Sequence, residues 1–318
     1  MIAEHADETA RTVHASAPAG VAYALMADAP NWPLYFSSVI HVEQLEFDDG
    51  VRERMRTWTL LDSQVKSWTT QRCLDPVARR MEFCQEIPAP PFRTAGGTLS
   101  ARPVGPHDSE LELRYGYSLG ADGPEDLEWA RRVTDAHCRA QLSDLKAFAE
   151  RWSRLDELVL SFEDTVHIKG PAELVYDFLY RAADWPDLAP HVRQVDLTES
   201  VPGIQHMTMR TVTEYGTHTT ASVRICFPHA ERIVYKQTVP LPLLEAHTGE
   251  WSVVADEHGV TVTALHSVVL SEEQIPDVLG ERATLADARR HVREVLGRNS
   301  RVLLAHAKTH AESAVRML

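Results

Sequence analysis

The sequence is poor in the residues that build metal centres and disulfide frameworks. It has four cysteines in 318 residues, and no two of them show CxxC spacing. Disulfide-stapled folds and zinc sites need paired or clustered cysteines, so neither is expected and a reducing compartment suits the chain. The sixteen histidines show no metal-ligand spacing either. We therefore expect no bound metal.

Long apolar runs, nucleotide-binding loops and positive charge are also missing. No stretch approaches the roughly 20 apolar residues that span a bilayer. No glycine-rich phosphate loop, GxSxG or HExxH motif occurs. The 32 basic and 46 acidic residues give a formal net charge of −14. Nucleic acids and anionic membranes attract basic proteins, so neither is expected as a partner.

The beginning of the chain also lacks a targeting pattern. The first eight residues are acidic and do not follow the basic-then-apolar order of a signal peptide. Hydrophobic residues make up 44% and charged residues 25% of the chain, as in ordinary globular proteins. These features predict a cytoplasmic protein.

What the sequence does contain is a long internal repeat. Thr12-Val13-His14 matches Thr165-Val166-His167, and Trp32-Pro33 matches Trp185-Pro186, each 153 residues later. Solenoid repeats have periods of roughly 20–50 residues, so this period indicates tandem domains instead. The sequence predicts two copies of one domain, residues 1–154 and 155–318.

Each copy has the same order of predicted elements. A strand and a short helix come first, several strands separated by turn residues follow, and a long amphipathic helix ends the copy. In the second copy one of the last strands is predicted at 250–254 and the closing helix at 284–311. This order predicts an α+β fold in which an antiparallel sheet wraps round the long helix and leaves a cavity between them.

The predicted strand Lys66–Leu74 carries the most distinctive pattern. Side chains alternate along a strand, so Trp68, Thr70 and Arg72 share one face. Ser222 and Arg224 repeat the hydroxyl and the guanidinium in the second copy, where Thr220 replaces the tryptophan. If the face lines a cavity, it offers an aromatic wall with a few polar groups; if it faces solvent, Arg72 is an ordinary surface arginine.

Other candidates lie before and after this strand. Trp32 and its counterpart Trp185 are held by neighbouring prolines and are either core anchors or cavity walls. On the first long helix, His137 lies in the apolar stripe and Asp135 close to it. In the second copy the sequence register places Glu294 opposite Asp135.

These residues resemble a known family. Trp32-Pro33-Leu34-Tyr35-Phe36-Ser37, Trp68-Thr69-Thr70-Gln71-Arg72 and Arg139-Ala140-Gln141-Leu142 are similar to segments of the aromatase/cyclases of bacterial type II polyketide synthases. That family has the helix-grip fold of START and Bet v 1-like proteins. The duplication resembles its di-domain subclass, and the resemblance extends over essentially the whole chain.

The resemblance implies a function. Members of the subclass direct first-ring aldol cyclisation and dehydration of a ketoreduced poly-β-ketone, which an acyl carrier protein delivers within a type II synthase, and no cofactor is implied. A non-catalytic module that binds a lipid or a polyketide is the alternative. A catalytic tyrosine of some single-domain members is replaced here by Val39, so tyrosine-mediated proton transfer is not expected.

The resemblance and the chemistry together suggest roles for single residues. A guanidinium in a dry cavity would stabilise an oxyanion, and a water, Asp135 or His137 would be the base. Arg72→Ala is expected to abolish ring formation without unfolding the protein. The predicted catalytic residues are Arg72, Asp135, Thr70 and Arg224. The predicted substrate-binding residues are Trp32, Trp68, His137, Trp185 and Ser222.

Overall fold

A computed structural model describes residues 7–48, 51–120, 124–213 and 216–316. Residues 1–6, which hold most of the acidic N-terminal segment, lie outside this part. The chain divides into two compact units, Met1–Leu155 and Asp156–Leu318.

The first unit is one antiparallel sheet of seven strands with helices against it. Strand order across the sheet is β1-β7-β6-β5-β4-β3-β2, so neighbours in sequence are neighbours in space except where β1 closes onto β7. The elements are β1 (Asp7–Ala15), α1 (Ala19–Ala27), α2 (Trp32–Tyr35), β2 (Val39–Asp48), β3 (Arg52–Leu61), β4 (Gln64–Asp75), β5 (Arg80–Ile87), β6 (Phe92–Gly105), β7 (Asp108–Leu119) and α3 (Pro124–Glu150).

Residue alternation sets which face of this sheet is buried. On β4, Thr70, Arg72 and Leu74 are buried, whereas Gln71 and Cys73 between them are exposed. Helix α3 lies over the buried face and is closest to β1 and β7. Its own buried residues recur every three or four positions, as an amphipathic helix requires; they include Ala130, Cys138, Leu142, Leu145 and Ala149.

The second unit repeats this plan with sheet order β8-β14-β13-β12-β11-β10-β9. Helix α4 (Leu155–Leu158) begins at the last residue of the first unit. The elements that follow are β8 (Val159–Ile168), α5 (Ala172–Tyr180), α6 (Trp185–Leu188), β9 (Val192–Val201), β10 (Ile204–Thr213), β11 (Gly216–Phe227), β12 (Arg232–Val239), β13 (Leu244–Asp256), β14 (Gly259–Leu270), α7 (Ile275–Leu279) and α8 (Leu285–Arg316).

The predicted α+β architecture of two tandem sheets, each with a long closing helix, is confirmed. The largest difference from a predicted strand is in β13, which begins at Leu244 instead of residue 250. Its first half contains Ala246 and Gly249, which have low strand propensity, and pairing with β14 overrides that propensity along the whole strand. Among the described residues, no helix is long and apolar enough to cross a bilayer.

Candidate active site

The first unit contains a cavity between the buried face of its sheet and helix α3. The space between its walls, counted together with the open solvent at its mouth, is about 1020 Å³. Most of its wall is apolar, and aromatic rings from the sheet, α2 and α3 form much of it; they are Trp32, Trp68, Phe83, Phe92, Tyr115 and Trp129. An apolar cavity with a few polar groups on its wall is the usual form of a small-molecule site.

Four buried polar atoms on the wall of this cavity have no hydrogen-bond partner in the described structure. They are the indole Nε1 of Trp32, the hydroxyls of Thr57 and Thr59 on β3, and Nδ1 of His137 on α3. Buried polar groups in proteins are nearly always paired, so unpaired ones indicate a place that a ligand or water fills. Here all four atoms belong to residues that line one cavity.

His137 is the titratable group of this set. Burial lowers the pKa of His137 to about 4, so its imidazole is neutral near pH 7. Thr134 and Gln141, three residues before and four after it, line the same cavity from the same face of α3. The sheet side of the cavity carries a hydrogen-bonded polar pair, in which Gln85 Nε2 donates to the Tyr115 hydroxyl at 3.2 Å.

Arg72 lies beside this cavity and is not part of its wall. Its Nε donates to Glu53 Oε2 at 2.6 Å. Nη1 donates to the carbonyl of Met26 at 3.0 Å, and Nη2 to that of Ala27 at 2.5 Å, at the C-terminal end of α1. The guanidinium carbon lies 5.1 Å from the centre of the Trp32 ring. Every nitrogen of the guanidinium is thus engaged by the protein itself.

Asp135 is also directed away from the cavity. Its carboxylate pairs with Arg11 on β1 and with Arg139 one turn further along α3. Desolvation opposes ionisation there, but hydrogen bonds from Arg139 and Arg11 outweigh it and hold the pKa of Asp135 below its usual value. Of the predicted site residues in the first unit, the cavity brings together Trp32, Trp68, Thr70 and His137.

The second unit repeats the arginine contacts. Arg224 donates to the carbonyls of Leu179 at 2.5 Å and Tyr180 at 3.3 Å, at the end of α5. Gln205 accepts from Arg224 at 2.7 Å, at the place that Glu53 holds in the first unit. The guanidinium lies 5.6 Å from the Trp185 ring centre.

Two further predicted residues of the second unit lie in its interior. Trp185 is part of the hydrophobic core, and its Nε1 donates to the carbonyl of Phe178 at 3.4 Å. Ser222 is buried on the inner face of β11, two residues before Arg224. Unlike Trp32, Trp185 therefore has a partner for its indole N–H.

The expected match of Glu294 with Asp135 is wrong. Glu150 of α3 accepts from the backbone N–H of Ser16, and Glu312 of α8 accepts from that of Lys169. When the two long helices are aligned so that Glu150 matches Glu312, Gly297 takes the position of Asp135. A Cβ at Gly297 would lie 2.9 Å from a carboxylate oxygen of Asp164, which pairs with Arg293 and Arg301. In the second unit the acid, Asp164, therefore lies on the first strand β8 and not on the long helix.

Sequence reasoning also missed the partner of Arg72 and the unpaired threonines. Glu53, Thr57 and Thr59 alternate on β3 and are all buried. That alternation is visible in the sequence, and a glutamate on an inward face calls for a basic partner. Within residues 7–48, 51–120, 124–213 and 216–316 no group of three or more metal-ligating side chains converges.

Comparison with known proteins agrees with this architecture. The family described as polyketide cyclase / dehydrase and lipid transport matches residues 7–150 and again 159–312. The actinorhodin polyketide synthase bifunctional cyclase/dehydratase of Streptomyces coelicolor is 41% identical over 314 residues, covering 95% of this chain and 96% of that protein. The granaticin polyketide synthase bifunctional cyclase/dehydratase of Streptomyces violaceoruber is 38% identical over 305 residues, covering 95% and 94%.

Two solved structures match both units. The di-domain ARO/CYC BexL from the BE-7585A biosynthetic pathway superposes with a TM-score of 0.84 and 41% identity, over 96% of this chain and 99% of that one. The di-domain ARO/CYC StfQ from the steffimycin biosynthetic pathway gives 0.82 and 33% over the same shares. The chain, with its two matched halves and its aromatic cavity, belongs to the polyketide cyclase / dehydrase and lipid transport family, as a di-domain member.

Proposed function

We propose that the protein is a polyketide aromatase/cyclase that directs first-ring aldol cyclisation and dehydration of a ketoreduced poly-β-ketone. The observation that carries this proposal is the set of four unpaired buried polar atoms on residues that line one aromatic cavity. The names of the relatives, cyclase/dehydratase and ARO/CYC, support it. We also propose that an acyl carrier protein delivers the chain, that the other synthase components are its partners and that it works in the cytoplasm.

The shape of the cavity suits a chain that must fold before it reacts. An aldol closure joins one methylene carbon of the polyketide to one carbonyl carbon, and many pairs compete. Flat walls such as Trp32 and Trp68 restrict the chain to planar folds. Holding two reacting carbons in contact can supply several kcal/mol of the barrier, because their encounter becomes intramolecular.

His137 is proposed as the acid–base group. A methylene between two ketones is acidic, and the neutral imidazole accepts its proton. The enolate carbon then attacks the carbonyl carbon, a carbon–carbon bond forms and the carbonyl oxygen becomes an oxyanion. The imidazolium returns the proton to that oxygen, which leaves a β-hydroxy ketone. Loss of water from it then leads towards the aromatic ring.

The unpaired donors are proposed to hold the oxyanion. Thr57, Thr59 and Trp32 line a largely apolar cavity, where hydrogen bonds to developing charge are stronger than in bulk water. Thr70, which lies opposite Met55 on the neighbouring strand β4 and lines the same cavity, is proposed to serve the same role. The steps are proton transfers, one carbon–carbon bond formation and the loss of water, so the proposal needs no cofactor.

Arg72 then acts as a positioning residue, and so does Arg224 in the second unit. Each ties the end of a short helix to the sheet and supports the tryptophan that follows it. Asp135 is proposed to tie β1 to α3. In these roles the residues shape the site without contacting the substrate.

The function is tested by adding the protein to a minimal type II synthase with a ketoreductase and identifying the products. We expect a cyclised aromatic product that is absent when the protein is omitted. Thr57→Val with Thr59→Val should lower its yield about a hundredfold, as loss of oxyanion donors does, whereas the exposed Thr12→Val should not. Retention of a polyketide without a new product would identify a non-catalytic binding module instead.

A further inference from the structure

The interior of the second unit contains a cluster of polar side chains that the proposed site does not use. The hydroxyl of Tyr235 on β12 lies 2.9 Å from His266 Nδ1 on β14. His247 Nε2 on β13 lies 3.0 Å from the same nitrogen. His266 Nε2 lies 2.7 Å from the Ser300 hydroxyl on α8. The cluster therefore crosses from the sheet to the long helix.

The local structure makes room for this cluster. Gly249 pairs with Tyr235 on one side and with His266 on the other. A Cβ at Gly249 would lie 2.3 Å from the Tyr235 hydroxyl, closer than real Cβ atoms approach. The glycine thus lets the tyrosine reach the histidines across β13.

Two buried polar atoms beside the cluster have no partner in the described residues. One is Nδ1 of His247, a side chain only 2% exposed, and the other is Oε1 of Gln237. Lys236 pairs with Thr248, so the next residues along, Gln237 and His247, face each other across the strand pair. Both lie on the inner face with Tyr235. An unpaired histidine nitrogen opposite an unpaired amide oxygen fits a ligand that carries a hydroxyl group.

The histidines can pass a proton along the cluster. With His247 protonated on Nε2 and His266 on Nε2, the bonds run towards Ser300 and leave His247 Nδ1 free to accept a proton. With both protonated on Nδ1, every bond reverses and His247 presents a proton instead. Burial lowers the pKa of His266 to about 4 and that of His247 well below its usual value, so both rings are neutral near pH 7.

In the part of the first unit that the structure describes, the equivalent positions hold no histidine. The same sheet register places Phe83, Ala95 and Tyr115 where the second unit has Tyr235, His247 and His266. The register of the long helices places Cys138 opposite Ser300. The cluster therefore does not derive from the shared fold.

We propose that Tyr235, His247, His266 and Ser300 form a second acid–base site, which dehydrates the β-hydroxy ketone formed in the first unit. This inference rests on the proposed function. Gln237 accepts a hydrogen bond from the substrate hydroxyl. His247 Nδ1 takes the proton from the carbon between hydroxyl and ketone, the electrons of that bond form the carbon–carbon double bond, and the carbon–oxygen bond breaks. The hydroxide takes the proton from His247 and leaves as water, so no oxidant or reductant is needed.

The test follows single-turnover products of the full chain with the minimal synthase and ketoreductase. His247→Gln keeps an amide that can reach His266 but removes the basic ring. We expect dehydration to slow about a hundredfold, the usual size of an acid–base contribution. A cyclised product heavier by one water should accumulate. Tyr235→Phe should slow dehydration about tenfold, and the exposed His229→Asn should change nothing.

Each other outcome contradicts the proposal. Dehydration at the normal rate in folded His247→Gln would do so, and so would loss of the cyclised product itself. If His247→Gln fails to show a normal unfolding transition, Tyr235→Phe decides, because it keeps the ring and its packing. Failure of the proposed function looks different: the unaltered protein would then give no cyclised product at all.

Discussion

The two units share the same fold and the same arginine contacts but differ in the side chains of their interiors. Arg72 and Arg224 bind the end of a short helix in the same way and approach the tryptophans at the same distance within about half an ångström. The first unit encloses an aromatic cavity with unpaired hydroxyls, whereas the second has a hydrogen-bonded histidine cluster at its centre. The arginine is therefore part of the shared structural scaffold, and the chemistry of each unit depends on the residues around it.

The largest expected effect is a loss of stability, and it should differ between variants of Arg72 and Arg224. Glu53 faces Arg72 as a buried carboxylate, but neutral Gln205 faces Arg224. Arg72→Met should lower the free energy of unfolding by about 3–5 kcal/mol, because it leaves a buried charge unpaired. Arg224→Met should cost about 1–3 kcal/mol, since it leaves only neutral groups unpaired.

Hydrogen exchange in peptides from β4 and β11 would measure these losses separately. Adding Glu53→Gln to Arg72→Met should restore part of the stability of the first unit. Equal losses from the two arginine variants would show that the Glu53 charge is not the difference. The result would also replace the expectation, made from sequence, that Arg72→Ala leaves the fold intact.

Low pH should destabilise both units through their buried histidines. Burial lowers the pKa of His137 and of His266 to about 4, whereas an unfolded histidine titrates near 6.5. Between these values the unfolded chain binds more protons, so stability is full above pH 6.5 and falls as the pH drops towards 4. Each histidine should account for roughly 3 kcal/mol.

Because the second unit also buries His247, it should lose more stability than the first. Hydrogen exchange of each unit at pH 7 and pH 4.5 measures this difference. His137→Asn should remove much of the pH dependence of the first unit alone. If the stability of the first unit still depends on pH after this change, other titratable groups cause the dependence.

Trp68→Thr places in the first unit the residue type that the second unit has at Thr220. Trp68 is only partly buried, so we expect little loss of stability. The cavity would lose one flat wall, and ring product should fall about tenfold as alternative chain folds compete. The exposed Trp152→Thr is the matched control. An unchanged product ratio in Trp68→Thr would show that the indole does not guide ring closure.

The smallest effect is expected at Asp135. Its carboxylate pairs with Arg11 and Arg139 near the surface, and such pairs contribute little. Asp135→Asn should change the cyclisation rate by less than about twofold. A loss as large as that expected for the cavity threonines would show that Asp135 is catalytic. It would also mark a further difference between the units, because the second has Gly297 at this position.

Much of the fold could be read from the sequence, because the two tandem copies show the same alternation and helix periodicity. Alternation predicted which residues of β4 and β11 share a face, but not that this face is buried. The role of Arg72 could not be predicted in this way. Alternation shows which face of the strand a side chain lies on, but not which groups it contacts. Its partners, Glu53 and the carbonyls at the end of α1, come from strand register and helix placement. The His247–His266 contact depends on β13, half of which has weak strand propensity.

The account's central claim is that the ring closes in the first unit, against the unpaired groups of its cavity. The most direct measurement is the amount of cyclised product made by His137→Asn with the minimal synthase and ketoreductase, beside the exposed His258→Asn. We predict a loss of about a hundredfold in the folded His137 variant and none in the control. Full cyclisation by folded His137→Asn would contradict the claim.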